Sequence, residues 1–330
     1  MIVDAHNDLL LELVVQRNGR PDLVLRRGPE RLFERYWLPK LEMSGVGVQV
    51  CPLYGATAPP GQARAWAVAQ EEELRLAVEE NAERVCLVTT RADLDDLRLR
   101  LVLSMEGVEP LEGDPDAFDE WHERGVRMVG LTWNHANEFA GGIEAPEKGL
   151  SDGGRDLVRR FNDLGVVLDL AHASEQTWRD VLDEGVPFSV SHACCRAVHD
   201  HPRNLADWQL EALAKGGGVL GMMGLGFVVD PDMPTLSRWV DHVDYAVAVM
   251  GIEQVGLGAD FIDQVVPISH LLDPDATPEL KSAEVLEGFT APDDYPALLA
   301  ALRERGYDGD RLDAILSANW LRVLRETLPA

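Results

Sequence analysis

The amino-acid sequence predicts a single-domain α/β protein, residues 1–330, with the (β/α)8 TIM-type barrel fold. Eight short segments are almost continuously apolar, which is typical of parallel strands buried on both faces. Longer amphipathic segments separate them, and this regular alternation favours a closed barrel over an open doubly wound sheet. The chain is 46% hydrophobic over 330 residues, which is ample for the core of one barrel.

The predicted strands are rich in leucine or β-branched residues, and they are Ile2–Ala5, Val46–Pro52, Leu101–Met105, Arg127–Thr132, Val166–Leu170, Phe188–Ser191, Val219–Met223 and Val255–Ala259. The predicted helices include Ala63–Asn81, Arg155–Leu164, Glu175–Glu184, Leu205–Lys215 and Leu236–Met250. A segment rich in proline and aspartate, residues 263–293, follows the last strand. We expect it to form a long loop that overhangs the active face of the barrel and shapes the pocket.

Composition narrows the class of protein. The net charge of −27 argues against nucleic-acid binding, which requires a basic surface. Four unevenly spaced cysteines fit neither a disulfide framework nor a thiolate zinc site, and they are expected to be reduced. The N-terminal segment is acidic where a signal peptide would be basic, and no uncharged run reaches the ~18 residues of a membrane span. We therefore expect a cytoplasmic protein without membrane contact, and a homodimer is left open.

Residues that can bind metals recur where the predicted strands end. They are His6 and Asp8 after the first strand, Glu106 after the third, His135 after the fourth, His172 after the fifth, His192 after the sixth and Asp260 after the eighth. One such histidine is more often a hydrogen-bonded structural residue, and one such acid could cap a helix. Because the carboxyl ends of barrel strands converge on one face, seven of them on six strand ends indicate a common site.

The number and kind of these side chains indicate their chemistry. They exceed the four ligands of one tetrahedral zinc, so they predict two divalent metals with a bridging carboxylate. Imidazole and carboxylate ligands suit zinc, manganese or cobalt, and zinc is the expected metal. His6 and Asp8 are alternate residues that point the same way from an extended chain, so both can reach one metal.

Five motifs occur in order along the chain: DAHND, SMEG, DLAHAS, SH followed by HPRN, and GADF. With these motifs, nearly the whole chain resembles the membrane (renal) dipeptidases of the amidohydrolase superfamily. Most other binuclear amidohydrolases have His-x-His on the first strand and often a carboxylated lysine after the fourth. Here Asp8 replaces the second histidine, and no lysine follows the fourth strand before Lys148.

The resemblance implies a division of the metal ligands. One metal would be held by His6, Asp8 and Asp260, the other by His172 and His192, and Glu106 would bridge the two. It also implies that Asp260 accepts a proton from the attacking water and passes it to the leaving amine. His135 would stabilise the oxyanion, and Arg203 of HPRN would bind the terminal carboxylate of the substrate.

The expected function is therefore that of a dipeptidase, in which a hydroxide that bridges two metals attacks the amide bond of a dipeptide. A D-residue at the C-terminal position is compatible with this expectation. Two alternatives stay open: an amidohydrolase acting on N-acyl amino acids or other small amides, and a metal-binding barrel without catalysis. Two departures from the family pattern bear on substrate preference, namely DFIDQ in place of DFDG after the last strand, and Phe227 where Asn or Tyr is common.

Overall fold

Nine parallel strands form the central sheet of the computed structural model, which describes residues 1–25, 28–261 and 286–330. The strands are β1 (Ile2–Asp4), β2 (Val46–Tyr54), β3 (Val85–Leu87), β4 (Leu99–Glu106), β5 (Val126–Gly130), β6 (Val167–Asp169), β7 (Val190–Ala193), β8 (Leu220–Met222) and β9 (Val255–Leu257). Almost every strand residue is buried, as continuous apolar patterns predict for strands covered on both faces.

Eight of these strands close into a barrel. Their order in the sheet is β6-β5-β4-β2-β1-β9-β8-β7, and β3 pairs with β4 outside this path. The two end strands meet through a parallel bridge between Asp169 and Ser189. There the Leu170 amide donates to Ser189 O at 2.9 Å, and the Ser189 amide donates to Leu168 O at 2.9 Å. The predicted (β/α)8 barrel is thereby confirmed.

All eight predicted strands are present, with ends shifted by a few residues. The structure adds β3, which the sequence did not predict. Three apolar residues are too few to show a periodicity, and this strand exists because β4 offers a free edge at Leu99–Leu101.

Helices occupy the connections between strands. Within the described residues the α-helices are Leu9–Asn18, Leu32–Tyr36, Leu38–Ser44, Ala63–Glu80, Phe118–Glu123, Asp152–Leu164, Glu175–Glu184, Asp207–Lys215, Gly226–Val229, Leu236–Met250, Tyr295–Glu304, Gly309–Asp313 and Asn319–Thr327. Helix Glu175–Glu184 begins and ends as predicted, because Ser174 caps it and Gly185 adopts the left-handed conformation that ends it.

The predicted loop 263–293 is described only in part, since residues 263–285 lie outside the described residues. From Leu286 onward the chain is packed against the barrel. The Phe289 ring lies 4.9 Å from that of Phe261 and 5.2 Å from that of Tyr295, between ring centroids. Among the described helices, none has both the length and the apolar character needed to cross a membrane. All four cysteines are buried and free.

Candidate metal centre

The ends of β1 and β9 bring three predicted ligands together. His6 Nε2 lies 4.0 Å from Asp8 Oδ1 and 3.9 Å from Asp260 Oδ1. All three ligand atoms lie within 4.8 Å of one another. Atoms bound tetrahedrally to one metal at about 2.1 Å are about 3.4 Å apart, so a small inward movement would complete this site.

A second group surrounds Glu106 at the end of β4. Its Oε1 atom lies 3.0 Å from His172 Nε2 and 3.6 Å from His192 Nε2. The two Nε2 atoms are 2.9 Å apart. The same Oε1 is 3.6 Å from His6 Nε2, which belongs to the first group. Glu106 therefore stands between the two groups, the position that a bridging carboxylate requires.

The histidines of this cluster are held neutral. Burial, with the positive charge of Arg203 as the next cause, lowers the pKa of His6 to about 3. Burial is also the largest cause that lowers the pKa of His172 and His192 well below the usual value. A neutral imidazole keeps one nitrogen lone pair free, and metal binding requires that form.

The carboxylates of the cluster have too little positive charge around them to offset their burial. Burial and then the repulsion of Asp8 raise the pKa of Asp260 and of Glu106, and burial raises the pKa of the partly exposed Asp8 itself. Among the described residues, buried His6 Nε2 and Asp8 Oδ1 have no hydrogen-bond partner. Acids and unpaired lone pairs away from water are costly unless a cation joins them, so this donor set fits divalent metals.

Two of the predicted ligands have strained backbones. His172 has φ 63° and Asp260 has φ 56°, in the left-handed region that residues other than glycine seldom adopt. Such residues persist where the surrounding structure fixes them, and they concentrate at functional sites. Both lie just beyond a strand end, where the backbone turns away from the barrel.

Arg203 reaches this cluster from the loop after β7. Its Nη2 atom lies 2.9 Å from His172 Nε2 and donates to the His192 carbonyl at 3.3 Å. The side chain is buried. A cavity of about 380 Å³ adjoins it, and its lining includes Arg203, Trp178, Leu205 and, of the six predicted metal ligands, His172 alone. The predicted carboxylate-binding residue therefore faces both the cluster and a space of small-molecule size.

His135 is not part of the cluster. It is exposed, and its Nδ1 lies 2.6 Å from Glu144 Oε2. The two residues before it take the inner positions instead. The Trp133 ring centroid lies 5.9 Å from that of His172, and Asn134 Oδ1 lies 2.7 Å from His172 Nδ1. The role predicted for His135 in catalysis stays a prediction.

Sequence reasoning missed the polar residues that hold the predicted ligands in place. Asp4 Oδ1 accepts hydrogen bonds from the amides of His6 at 3.3 Å and Ala259 at 2.9 Å, which ties the first strand to the last. Asp169 accepts from the Ser191 hydroxyl, whose oxygen lies 2.7 Å from the Nδ1 atom of the next residue, a ligand. The available signal was a polar residue inside an apolar strand, within three positions of a ligand.

A closed (β/α)8 barrel with a buried cluster of histidines and acids at its strand ends defines a metal-dependent hydrolase of the TIM-barrel class. The family model for membrane dipeptidases (peptidase family M19) matches residues 1–329. The chain belongs to this family of metallopeptidases, which confirms the resemblance found in its motifs.

The chain is similar to individual proteins and solved structures along most of its length. An uncharacterized Klebsiella pneumoniae protein from the pqqA 5′ region is 31% identical over 276 residues, which cover 76% of this chain and 92% of that protein. The crystal structure of dipeptidase AC, a metallopeptidase of family M19, has a TM-score of 0.83 at 25% identity, covering 100% of this chain and 99% of its own.

A Rhodobacter sphaeroides metallopeptidase liganded with a phosphinate mimic of the dipeptide L-Ala-D-Ala is also similar. It has a TM-score of 0.81 at 25% identity and covers 99% of both chains. Fungal and rodent dipeptidases match as well, but the matched region spans only 50% to 64% of their length.

Proposed function

We propose that this protein is a binuclear metal-dependent dipeptidase. The observation that carries the proposal is the position of Glu106, whose Oε1 lies within 3.6 Å of a histidine nitrogen from each of the two ligand groups. One acid shared by two sets of ligands is the arrangement expected of a bridged metal pair rather than of a single structural zinc. Membership of the membrane dipeptidase family supports the same conclusion.

The side chains around the pair have separate tasks. Two divalent metals, zinc being the expected choice, would supply a hydroxide nucleophile near neutral pH and polarise the carbonyl group. Asp260, which has a raised pKa, would take the proton from the nucleophile and deliver it to the nitrogen of the leaving amine. Arg203 would bind the terminal carboxylate. A hydrogen-bond donor, which the family resemblance predicts to be His135, would stabilise the oxyanion of the tetrahedral species.

The proposed substrate is a free dipeptide. The cavity of about 380 Å³ lies within the usual range of small-ligand sites, roughly 300–1,000 Å³. Arg203, on its lining, offers the planar donor fork that matches a carboxylate. The similar Rhodobacter sphaeroides metallopeptidase is liganded with a mimic of L-Ala-D-Ala, which supports a C-terminal D-residue here.

Substrate choice tests the proposal directly. We expect the metal-loaded protein to hydrolyse L-Ala-D-Ala and other free dipeptides faster than the N-acetyl derivative of alanine. The measurement is release of free amino acid from a panel of L,L and L,D dipeptides and N-acyl amino acids. Hydrolysis of N-acyl amino acids alone would favour the wider amidohydrolase function. Complete inactivity with both metals bound would indicate a binding barrel without catalysis.

Replacement of Arg203 by methionine tests how the carboxylate is recognised. We expect kcat/KM for a free dipeptide to fall roughly tenfold to a hundredfold, because a buried charge-assisted contact contributes about 1.5–3 kcal/mol. The same dipeptide with an amidated C-terminus should lose much less. Metal content, measured in parallel, should stay unchanged because arginine is not a ligand. Equal losses on acid and amide would instead give Arg203 a structural role beside His172.

His135→Ala is the companion variant in the same assay. A residue that stabilises the oxyanion acts at the scissile bond, so its loss should lower kcat for the acid and the amide by the same factor. If neither substrate is affected, the exposed contact with Glu144 accounts for His135, and the oxyanion must be stabilised by another group.

A further inference from the structure

The histidine ligand from β7 is held by a chain of hydrogen bonds that begins at a buried acid. The Ser191 hydroxyl donates to Asp169 Oδ2, so it has no proton left for His192. Its oxygen, 2.7 Å from His192 Nδ1, can therefore only accept a hydrogen bond from that nitrogen. The proton of the neutral imidazole must lie on Nδ1, which leaves Nε2 as the free lone pair facing Glu106.

Asp169 has a second task in the fold. Its Oδ1 accepts the amides of Ala171 at 2.9 Å and Ser191 at 2.8 Å. The bond from the Ser191 amide joins β6 to β7, where the barrel closes through a single bridge instead of a continuous ladder, and the bond from the Ala171 amide holds the turn that follows β6. One oxygen of the carboxylate therefore adds a hydrogen bond to the closure of the barrel, and the other orients a predicted metal ligand.

The backbone of Ser191 is held in place by close packing. A Cβ atom added at Gly221 or at Gly258 would lie only 1.8 Å from the Ser191 carbonyl oxygen. Both residues must therefore be glycine for their segments to pack this closely against the backbone of Ser191. Packing fixes the place from which its hydroxyl reaches His192.

The other histidine of this group is supported differently. His172 Nδ1 contacts the neutral side-chain amide oxygen of Asn134 at 2.7 Å. His192 is linked through the Ser191 hydroxyl to a carboxylate, a kind of partner that raises the basicity of a metal-binding histidine, whereas His172 is linked to a neutral amide. The two histidines are therefore unequal ligands.

We propose that Asp169 and Ser191 are positioning residues that fix the Nδ1-protonated form of His192 and strengthen it as a metal ligand. This inference rests on the proposed metal centre, but it makes a separate claim about the direction of the hydrogen bonds from Asp169 to His192. Asp169 also contributes to the fold, because the same carboxylate accepts a hydrogen bond from β7 at the closure of the barrel.

Asp169→Asn reverses the direction of the hydrogen bonds between residue 169, Ser191 and His192 without removing them. The amide oxygen can still accept both backbone amides, which places the NH2 group against Ser191 Oγ. Ser191 must then donate its proton to His192 Nδ1, and the imidazole proton moves to Nε2, where the metal should bind. Reversal of a buried carboxylate–histidine bond by the same exchange is known to give the wrong tautomer in a catalytic triad.

The experiment compares Asp169→Asn and Ser191→Ala with Ser189→Ala in the full-length protein. Ser189 is a matched control: it is buried, two residues earlier on the same chain segment, and its Oγ accepts the Val219 amide at 3.2 Å. Zinc affinity is measured by competition with a chelator, and thermal unfolding is followed with chelator present. The ¹⁵N shifts of the histidine rings report the tautomer of His192 without any metal.

We expect the affinity for the zinc at the site of His192 to fall about tenfold in Ser191→Ala and about a hundredfold in Asp169→Asn. Ser189→Ala should lose stability without losing affinity. Protonation of Nε2 in Asp169→Asn, against Nδ1 in the wild type, would support the inference even if the wild type bound a single metal. An unchanged tautomer, or affinity losses that merely follow stability across all three variants, would overturn it.

Discussion

Glu106→Gln should produce a folded barrel that has lost its metal pair. Elemental analysis of the wild type, purified without chelator, should find close to two divalent metals per chain, and the variant should hold one or none. Loss of residues that only support a ligand costs about 10–100-fold in metal affinity or activity, so loss of the shared ligand should exceed that range. The reason is geometric, since the Oε1 atom of Glu106 is the one near His6, His172 and His192 together.

The barrel itself should survive this change. Glutamine has the same size and lacks the charge that is costly to bury, so the metal-free variant should unfold at a temperature no lower than the chelated wild type. Glu109→Gln is the matched control, because Glu109 follows on the same loop and its Oε1 accepts from Asn137 at 3.0 Å. It should retain both metals. Near-normal turnover by Glu106→Gln would show that Glu106 is not a bridging ligand.

Asp260→Asn should abolish most of the activity even when metal is abundant. Asparagine tolerates the left-handed backbone of this position, φ 56°, better than alanine would, so the change isolates the carboxylate. Its amide oxygen is a weaker ligand and cannot carry a proton from the nucleophile to the leaving nitrogen. Positioned acid–base groups typically contribute 10²–10⁴-fold, and kcat at saturating zinc should fall by about that factor.

Asp8→Asn separates proton transfer from metal binding. Asp8 belongs to the same ligand group, with Oδ1 4.0 Å from His6 Nε2, but no proton transfer is assigned to it. Its variant should need more zinc and then regain much of its kcat. If excess zinc restored Asp260→Asn equally well, Asp260 would be a ligand only, and the proton would have to travel through another group.

The sequence determined the architecture and predicted which metal-competent residues would lie together. Continuously apolar segments that alternate with amphipathic ones indicate which residues are buried. Burial along one segment is a local property, so the hydrophobic pattern of that segment can predict it. Strand ends of a barrel share one face, so the six metal-competent residues from His6 to Asp260 could be expected to converge. Their division between two metals came from the family resemblance, and the distances around Glu106 are consistent with it.

Only the tertiary structure decided which side chains stand next to the ligands. The alternation rule ends with β5 at Gly130, and the chain then bends, so no pattern could place Trp133 and Asn134 inside and His135 outside. Asp169 and Ser191 are 22 positions apart and meet only because the barrel closes between β6 and β7. The direction of a hydrogen bond, and the left-handed backbone of the residues just after a strand, depend on contacts between distant segments. A one-dimensional sequence pattern does not contain such contacts.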